Sequence, residues 1–311
     1  MNGSPTGPKV CVLMATHNGR HWIEEQLASI LNQHGVQVDV WISDDASSDG
    51  LPQWLAERAR QDGRLHVLQH GRRFGSAAGN FYYLLAHAPT QQYPYFALAD
   101  QDDVWHLDKL QRHLELLESS QVDAVSSDVM AFWPSGRQVL IKKSDPQRRW
   151  DFLFEPPGPG CSFLMRASVV ERCNATIAKL TAAGIELLPF HDWMIYVVAR
   201  ASGMRWLIDA RPSLQYRQHD RNEVGAHVGW RAARIRLRSL FRGDYRRLVE
   251  RAMLIAVVAA QECGHGCALS SLGPWTVLSQ GRRRWRDSLI AAAFMPRGVR
   301  VRQPAGPHTA P

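Results

Sequence analysis

Apolar and amphipathic segments alternate through the first hundred residues of the chain. Short apolar runs that end in polar loops predict buried parallel strands, and the segments between them carry apolar residues at helical spacing. The predicted strands cover residues 9–15, 38–42, 65–68 and 95–99, and the predicted helices lie near 22–31, 54–59 and 77–86. This alternation predicts an α/β fold with a Rossmann-like, mostly parallel central sheet flanked by helices.

Polar clusters directly follow three of these strands, at residues 16–19, 43–49 and 100–103. In open sheets of this kind, ligands bind beyond the carboxyl ends of the strands. We therefore expect the three loops to converge on one crevice. This expected convergence is the first indication of a functional site.

Beyond residue 120 the alternation is less regular. Strands are predicted at 124–127, 132–140 and 161–165, helices over 168–180 and 192–201, a short strand at 214–216, and one or two Arg-rich helices over 230–260. The predicted organisation is a flexible N-terminus (1–8), one α/β domain (9–225), an Arg-rich helical extension (226–296) and a disordered tail (297–311).

Composition narrows the class of protein. Of the 311 residues 45% are hydrophobic and 21% are charged, which disfavours a disordered or membrane-embedded chain. The longest clean apolar stretch, residues 252–260, is well short of the roughly 20 residues of a bilayer-spanning helix. The opening residues contain no apolar signal region and the five cysteines form no tight framework, so we expect a cytoplasmic protein.

The net charge of +8 comes from the C-terminal part of the chain. Residues 226–311 contain 15 arginines, no lysine and four acidic residues, so the first 225 residues carry a net charge of −3. Apolar residues between the arginines of 230–260 give the composition of an interfacial helix that binds anionic lipid. The alternative is a solvated helix packed on the α/β domain.

The acidic loop is the strongest chemical signal. Asp100-Gln101-Asp102-Asp103 places three carboxylates directly after a strand, and like charges so close are costly unless a cation or hydrogen-bond donors lie between them. A hard divalent ion with phosphate co-ligands fits such a loop. The alternative is a solvated acidic loop or the N-cap of the following helix.

For other polar residues the sequence allows either a functional or a purely structural role. Asp44 and Asp45 could accept hydrogen bonds from a nucleoside or could cap a turn. The chain contains neither G-x-G-x-x-G nor a P-loop, so a nucleotide would be held by carboxylates and a metal. Asp192 begins a helix and could be only its cap. His219 follows a short strand and could be purely structural.

Several segments together resemble glycosyltransferase family 2 enzymes of the GT-A fold, and two later ones resemble its rhamnosyltransferase-like branch. The first set is ATHNG (15–19), EQLASI (25–30), SDDASSD (43–49), NF (80–81), DQDDVW (100–105) and Lys109; the second is HDW (191–193) and YRQH (216–219) with Asn222 and Gly225. The resemblance covers roughly residues 9–225 and is specific in combination, although each motif alone is weak.

The resemblance implies an inverting transfer of a sugar from a nucleoside diphosphate to an acceptor hydroxyl, with Mg²⁺ or Mn²⁺ as cofactor. It assigns metal binding to Asp102 and His219 and general-base catalysis to Asp192. It places further residues around the donor nucleotide sugar: Thr16, Asn18, Asp44, Asp45, Gly75, Asn80, Asp100 and Gln101. It places Gly160, Cys161, His191 and Trp193 on the acceptor side.

The resemblance favours dTDP-rhamnose as donor and a glycan or lipid-linked acceptor in surface polysaccharide synthesis, with a UDP- or GDP-linked sugar as the alternative. Such an enzyme could dock on the inner face of the cell membrane. Two other classes compete: a non-catalytic glycosyltransferase-like scaffold, and a nucleotide- or polyanion-binding protein with a basic nucleic-acid-binding tail. The chain contains no DNA-binding motif, so no nucleic-acid partner is expected. A zinc site at Cys263, His265 and Cys267 is disfavoured, because four ligands are normally needed.

Overall fold

The computed structural model describes residues 7–219, 244–261 and 279–283. Seven strands form the central sheet: β1 (Lys9–Thr16), β2 (Gln37–Asp44), β3 (Leu65–Val67), β4 (Tyr95–Ala99), β6 (Ala124–Ser127), β9 (Leu164–Arg166) and β10 (Trp206–Asp209). Their order across the sheet is β10-β6-β9-β4-β1-β2-β3. Only β9 runs antiparallel to its neighbours, so the mostly parallel sheet predicted from the sequence is confirmed.

Strand β1 explains why the sheet is covered on both faces. Its side chains alternate: Cys11, Leu13 and Ala15 belong to one hydrophobic core, and Val10, Val12 and Met14 belong to the other. Because successive side chains of a strand point to opposite faces, a continuous apolar run requires packing partners on both sides. This double burial fixes β1 at the centre of the sheet.

Seven helices in the described part of the chain supply that cover. They are α1 (Ile23–Leu31), α2 (Leu51–Gln61), α3 (Ala77–Ala86), α4 (Lys109–Ser119), α5 (Ala167–Ala182), α6 (His191–Ala201) and α7 (Asp244–Gln261). Helices α1, α2 and α4 bury their apolar faces in the core that contains Val12. Helices α3, α5, α6 and α7 pack in the core that contains Leu13.

A second, smaller sheet lies beside the acidic loop. It consists of β5 (Val104–Trp105), β7 (Val129–Phe132), β8 (Gln138–Ile141) and β11 (Leu214–Arg217), in the order β5-β11-β7-β8. Pairing of β11 with β5 brings residues 216–219 next to the acidic loop, over a separation of more than a hundred residues in sequence. The run 132–140, predicted with a Pro-Ser-Gly turn inside it, contains the end of β7, that turn and most of β8, which pair as an antiparallel hairpin.

Helix α7 changes the interpretation of the Arg-rich extension. Its apolar side chains, Val249, Ala252, Met253, Ile255, Ala256 and Ala259, are buried in the same core as α5 and α6. Residues 244–261 therefore form a helix packed on the α/β domain, which was the alternative to a lipid-binding helix. Its apolar face is not available to lipid. The predicted boundary at residue 225 does not separate two hydrophobic cores.

Some predictions concern residues outside the described ranges. These are the N-terminal residues 1–6, the extension residues 226–243, 262–278 and 284–296, the cluster of Cys263, His265 and Cys267, and the tail 297–311. None of the described helices combines the length and the hydropathy that crossing a bilayer requires.

Candidate active site

The three polar loops converge as predicted, and Gln101 ties two of them together. Its amide oxygen accepts from the His17 backbone N–H at 2.8 Å and its amide nitrogen donates to the His17 carbonyl at 2.8 Å. Gly19 lies against this side chain, where a Cβ would come within 2.0 Å of Oε1 of Gln101. Gln101 and Gly19 therefore fix the approach of the first loop to the acidic loop.

The first and second loops are joined by short polar side chains. Oγ1 of Thr16 donates to Oδ1 of Asp44 at 2.9 Å, and Oγ of Ser47 donates to the same oxygen at 2.6 Å. Asn18 has a φ of 50°, a left-handed conformation that asparagine tolerates, and its side-chain oxygen accepts from the Ser48 N–H at 2.8 Å. The predicted nucleoside-binding residues Thr16, Asn18 and Asp44 thus form one connected group.

Asp45 attaches the segment before α3 to this group, and Asn80 attaches α3 itself. Both carboxylate oxygens of Asp45 accept backbone N–H groups, one from Phe74 and one, at 2.9 Å, from Gly75. The amide nitrogen of Asn80 donates to the Ser43 carbonyl at 2.9 Å. Asp45 and Asn80 are 4% and 2% exposed, so they shape the donor side mainly by holding backbone, whereas Gly75 is exposed.

The acidic loop is held from two sides. The amide nitrogen of Gln26 on α1 donates to the Asp100 carbonyl at 2.9 Å. From β11, the Arg217 backbone N–H donates to Oδ1 of Asp103 at 3.1 Å, and Nε of Arg217 donates to the Asp102 carbonyl at 2.7 Å. These contacts hold the backbone of the loop at Asp100 and Asp102 and the carboxylate of Asp103.

Asp102 and His219, the two predicted metal ligands, are in direct contact. Nε2 of His219 lies 2.9 Å from Oδ2 of Asp102, and both side chains retain some exposure, 13% and 11%. The imidazole stacks on the Trp22 ring with a centroid distance of 4.1 Å. A carboxylate oxygen and an imidazole nitrogen that converge beside a crevice fit a divalent ion; Mn²⁺ accepts both donors, and Mg²⁺ favours the oxygen.

A second group, Asp100, Asp103 and Cys161, has ligand atoms within 4.8 Å of one another. Burial, Asp102 and Asp100 together raise the pKa of Asp103 well above its ordinary value. Burial also raises the pKa of the Cys161 thiol. Asp103 and Cys161 are 1% and 0% exposed, so this group offers less access to an ion with phosphate co-ligands than Asp102 with His219.

Lys109, at the start of α4, is a buried cation close to the acidic loop. It is fully buried, its ammonium lies 3.1 Å from the centroid of the Trp105 ring, and it donates to the Cys161 carbonyl at 2.5 Å. Burial lowers the pKa of Lys109 to about 7. The lysine thereby joins α4 to the 3-10 turn Gly160–Ser162.

That turn leads to the predicted acceptor side. A Cβ at Gly160 would lie 2.3 Å from Nε2 of His191, so only glycine allows this approach. The His191 ring stacks on Phe81 at 3.9 Å, and burial lowers its pKa to about 3, which keeps it neutral. Gly160, Cys161 and His191 are therefore brought together, between the acidic loop and the start of α6.

Asp192 occupies the first turn of α6, next to His191. It is partly exposed, and its Oδ1 accepts from the Trp193 N–H at 2.7 Å. Burial raises the pKa of Asp192 to about 6, against the opposing effects of this hydrogen bond and of Lys143. A carboxylate with a pKa near neutrality and some access to solvent has the properties of a general base.

Trp193 contributes differently from the other predicted acceptor-side residues. It is 4% exposed, and its indole N–H donates to the Phe152 carbonyl at 2.7 Å. The indole therefore binds the 3-10 turn Asp151–Leu153 and offers little surface to a substrate.

Comparison with known proteins decides the family. Residues 11–173, more than half of the chain, match the family described as glycosyl transferase family 2. The chain belongs to glycosyltransferase family 2. The dTDP-rhamnosyl transferase RfbG of Shigella flexneri is 36% identical over 225 residues, which cover 72% of this chain and 78% of that protein.

Solved structures resemble this glycosyltransferase in fold. A crystal structure of S. aureus TarS 1-349 has a TM-score of 0.53 at 15% identity, over 79% of this chain and 65% of that one. The same fragment in complex with UDP has a TM-score of 0.54 at 15% identity, over 82% of this chain and 70% of that one. At such identities the likeness shows a shared GT-A-like fold.

Other residues around the site of this glycosyltransferase carry no assignment from the sequence. Trp22 and Arg217 contact His219 and the acidic loop, but both come from segments whose position depends on tertiary pairing. Gln26, Lys109 and Arg217 lie within the family-like segments, and this location is the only sequence signal for them.

Proposed function

We propose that this glycosyltransferase is an inverting, metal-dependent enzyme that transfers L-rhamnose from dTDP-rhamnose to a hydroxyl of a glycan or lipid-linked acceptor. The observation that carries the proposal is the contact between Asp102 and His219 at 2.9 Å, together with a partly exposed Asp192 at the start of α6 whose pKa is about 6. The similarity to the dTDP-rhamnosyl transferase RfbG supports the choice of donor.

Thr16, Asn18 and Asp44 supply oxygen and amide groups at the ends of β1 and β2, suited to a nucleoside's base edge and hydroxyls. Asp100, at the end of β4, would face the ribose or the sugar. Asp45 and Asn80 would hold the backbone around Gly75 in the form that receives the donor.

Asp102 and His219 would hold Mg²⁺ or Mn²⁺. When bound, such an ion offsets the negative charge that develops on a departing diphosphate. The chain's own contribution is to present a carboxylate oxygen and an imidazole nitrogen at one point, and the hydrogen bonds of Gln26 and Arg217 hold the acidic loop in place.

The chemical step assigned to the protein is removal of one proton. The Asp192 carboxylate accepts the acceptor hydroxyl proton while the hydroxyl oxygen forms a bond to the anomeric carbon. The bond from that carbon to the diphosphate oxygen breaks, and dTDP leaves with the electron pair. A single displacement inverts the anomeric centre and needs no covalent enzyme intermediate, in keeping with the protonated, buried Cys161.

A panel assay tests this proposal. The protein is incubated with Mn²⁺, with candidate glycan and lipid-linked acceptors, and with dTDP-, UDP- or GDP-linked sugars, and both nucleotide release and product are measured. We expect dTDP-rhamnose to be used best, with product of inverted configuration by NMR. Preference for a UDP-sugar would replace the donor assignment, and retained configuration would contradict the mechanism.

We also propose a peripheral position on the cytoplasmic face of the membrane, as a lipid-linked acceptor would require. The support is limited to the outer face of α7, where Arg246 and Arg247 are exposed. Pelleting with anionic vesicles but not with neutral ones is the expected result; equal recovery with both would remove this part of the proposal.

A further inference from the structure

The segment 279–283 lies against residues that precede the acceptor side of the site. The Trp150 backbone N–H donates to the Gln280 carbonyl at 3.0 Å, and the Arg148 guanidinium donates to the Ser279 carbonyl. Arg283 follows directly, and its side chain is only 2% exposed. This part of the chain lies more than a hundred residues beyond the matched family region, 11–173.

Arg283 joins three acceptors. Its Nη1 lies 3.2 Å from Oδ2 of the fully buried Asp151. Its Nη2 donates to the Pro156 carbonyl at 2.5 Å and lies 3.2 Å from Oε2 of Glu155, while its backbone N–H donates to Oε1 of Glu155 at 2.8 Å. Burial acts to raise the pKa of Glu155, but Arg283 and Arg282 outweigh it and lower the pKa. The planar fork of an arginine suits such a multiple contact.

The acceptors of Arg283 connect to the candidate base by three routes. Asp151 accepts from the Tyr196 hydroxyl at 3.1 Å, and Tyr196 lies on α6, the helix that begins at His191. Pro156 leads along the chain to Gly160, which touches His191. The Lys143 ammonium interacts electrostatically with Glu155 and Arg283 and also with Asp192.

We propose that Arg283 is a positioning residue for the acceptor side: by holding Asp151, Glu155 and Pro156 together, it fixes segment 151–160 against α6 and so sets the position of Asp192. This inference rests on the proposed function. It assigns to the Arg-rich extension a part in the active site in addition to any contact with lipid. Removing Arg283 would take from Glu155 its main counter-charge and would leave Asp151 paired with Arg200 on α6 alone.

The test compares Arg283→Ala and Arg283→Lys with the matched control Arg282→Ala. Arg282 lies on the same segment, but its guanidinium is 3.8 Å from Glu155 and its side chain is 23% exposed. For each full-length variant we would measure the melting temperature, the dTDP affinity with Mn²⁺, and dTDP-rhamnose turnover with water and with the acceptor found in the panel assay.

We expect Arg283→Ala to lower transfer at least tenfold and raise the acceptor KM while dTDP affinity stays within twofold, because the donor side is held by other contacts. Arg283→Lys should recover part of the transfer, and Arg282→Ala should stay within twofold of wild type. If Arg283→Ala does not melt cooperatively, Arg283→Lys takes its place in the test. For that variant we expect about a threefold loss of transfer with dTDP affinity unchanged within twofold.

Transfer by the Arg283 variants within twofold of wild type would overturn the inference. So would a loss of dTDP affinity as large as the loss of transfer, because that result indicates general structural damage. Wild-type protein that turns over no nucleotide sugar would instead overturn the proposed function, and this inference with it.

Discussion

The proposed donor side and the proposed acceptor side of the site are built in different ways. The nucleotide-binding loops of the proposed donor side follow β1, β2 and β4, all within the first 105 residues, and their polar groups bond to one another. His219 reaches Asp102 in these loops from a distant segment. The acceptor side takes Gly160, His191 and Asp192 from separate segments. Its supports, Asp151 and Arg283, lie still farther apart in sequence.

This difference has a physical basis. The carboxyl ends of neighbouring parallel strands lie on one edge of the sheet, so strand positions alone bring the donor loops together. No comparable rule brings residue 283 to residue 151. Their contact depends on the buried ion pair between Arg283 and Asp151 and on the packing of α6 against Asp151. We therefore expect the two sides to respond separately to mutation.

The largest effect should come from Asp102 and His219, the pair proposed to hold the metal at the donor diphosphate. Asp102→Asn and His219→Ala should each lower turnover about 100-fold or more, since a contribution to charge stabilisation of about 3 kcal/mol corresponds to that factor. The dTDP affinity measured with Mn²⁺ should fall at least tenfold, and affinity without metal should barely change. Equal loss with and without Mn²⁺ would argue against metal binding by this pair.

The acceptor side should give a pH dependence. Because Asp192 must be ionised to accept a proton and its pKa is about 6, turnover should be constant above about pH 7. It should then fall roughly tenfold for each pH unit below 6. Measurement at saturating dTDP-rhamnose separates this effect from donor binding, and a flat profile down to pH 4.5 would contradict the assignment.

A smaller effect is expected from the contact between Gly160 and His191. Gly160→Ala places a methyl group 2.3 Å from Nε2 of His191, which should cost about 1–3 kcal/mol of stability and lower turnover several-fold. Gly63→Ala is the matched control, because a Cβ there meets nothing within 4 Å. If both variants behaved alike in melting and turnover, close packing at Gly160 would have no role.

The smallest effect concerns stability. The pKa of Asp192 is raised from 3.8 to about 6, so the folded state holds this proton more tightly, and stability is lost as the pH rises through 6. Allowing for the partial exposure of the side chain, Asp192→Asn should be more stable than wild type by about 1–2 kcal/mol at pH 8. The gain should fade between pH 6 and 4 in urea unfolding; a constant gain would mean another cause.

The sequence predicts more of the donor side than of its surroundings. The apolar runs place β1, β2 and β4, and their terminal aspartates are visible as motifs. The antiparallel insertion of β9 and the strand β10 depend on pairing across the sheet, which no local pattern encodes. The same holds for Arg217 at the acidic loop and for the burial of α7, whose arginines suggested a lipid surface although its apolar face packs on α5 and α6.

The central claim is that donor binding and proton removal are carried out by separate parts of the site. The most direct test titrates dTDP, with Mn²⁺ present, into wild-type protein and into Asp192→Asn. Transfer is measured on the same samples at pH 8. The predicted result is equal dTDP affinity within twofold and at least a 100-fold loss of transfer. Transfer that survives in Asp192→Asn, or dTDP affinity that falls together with it, would contradict the two-sided site.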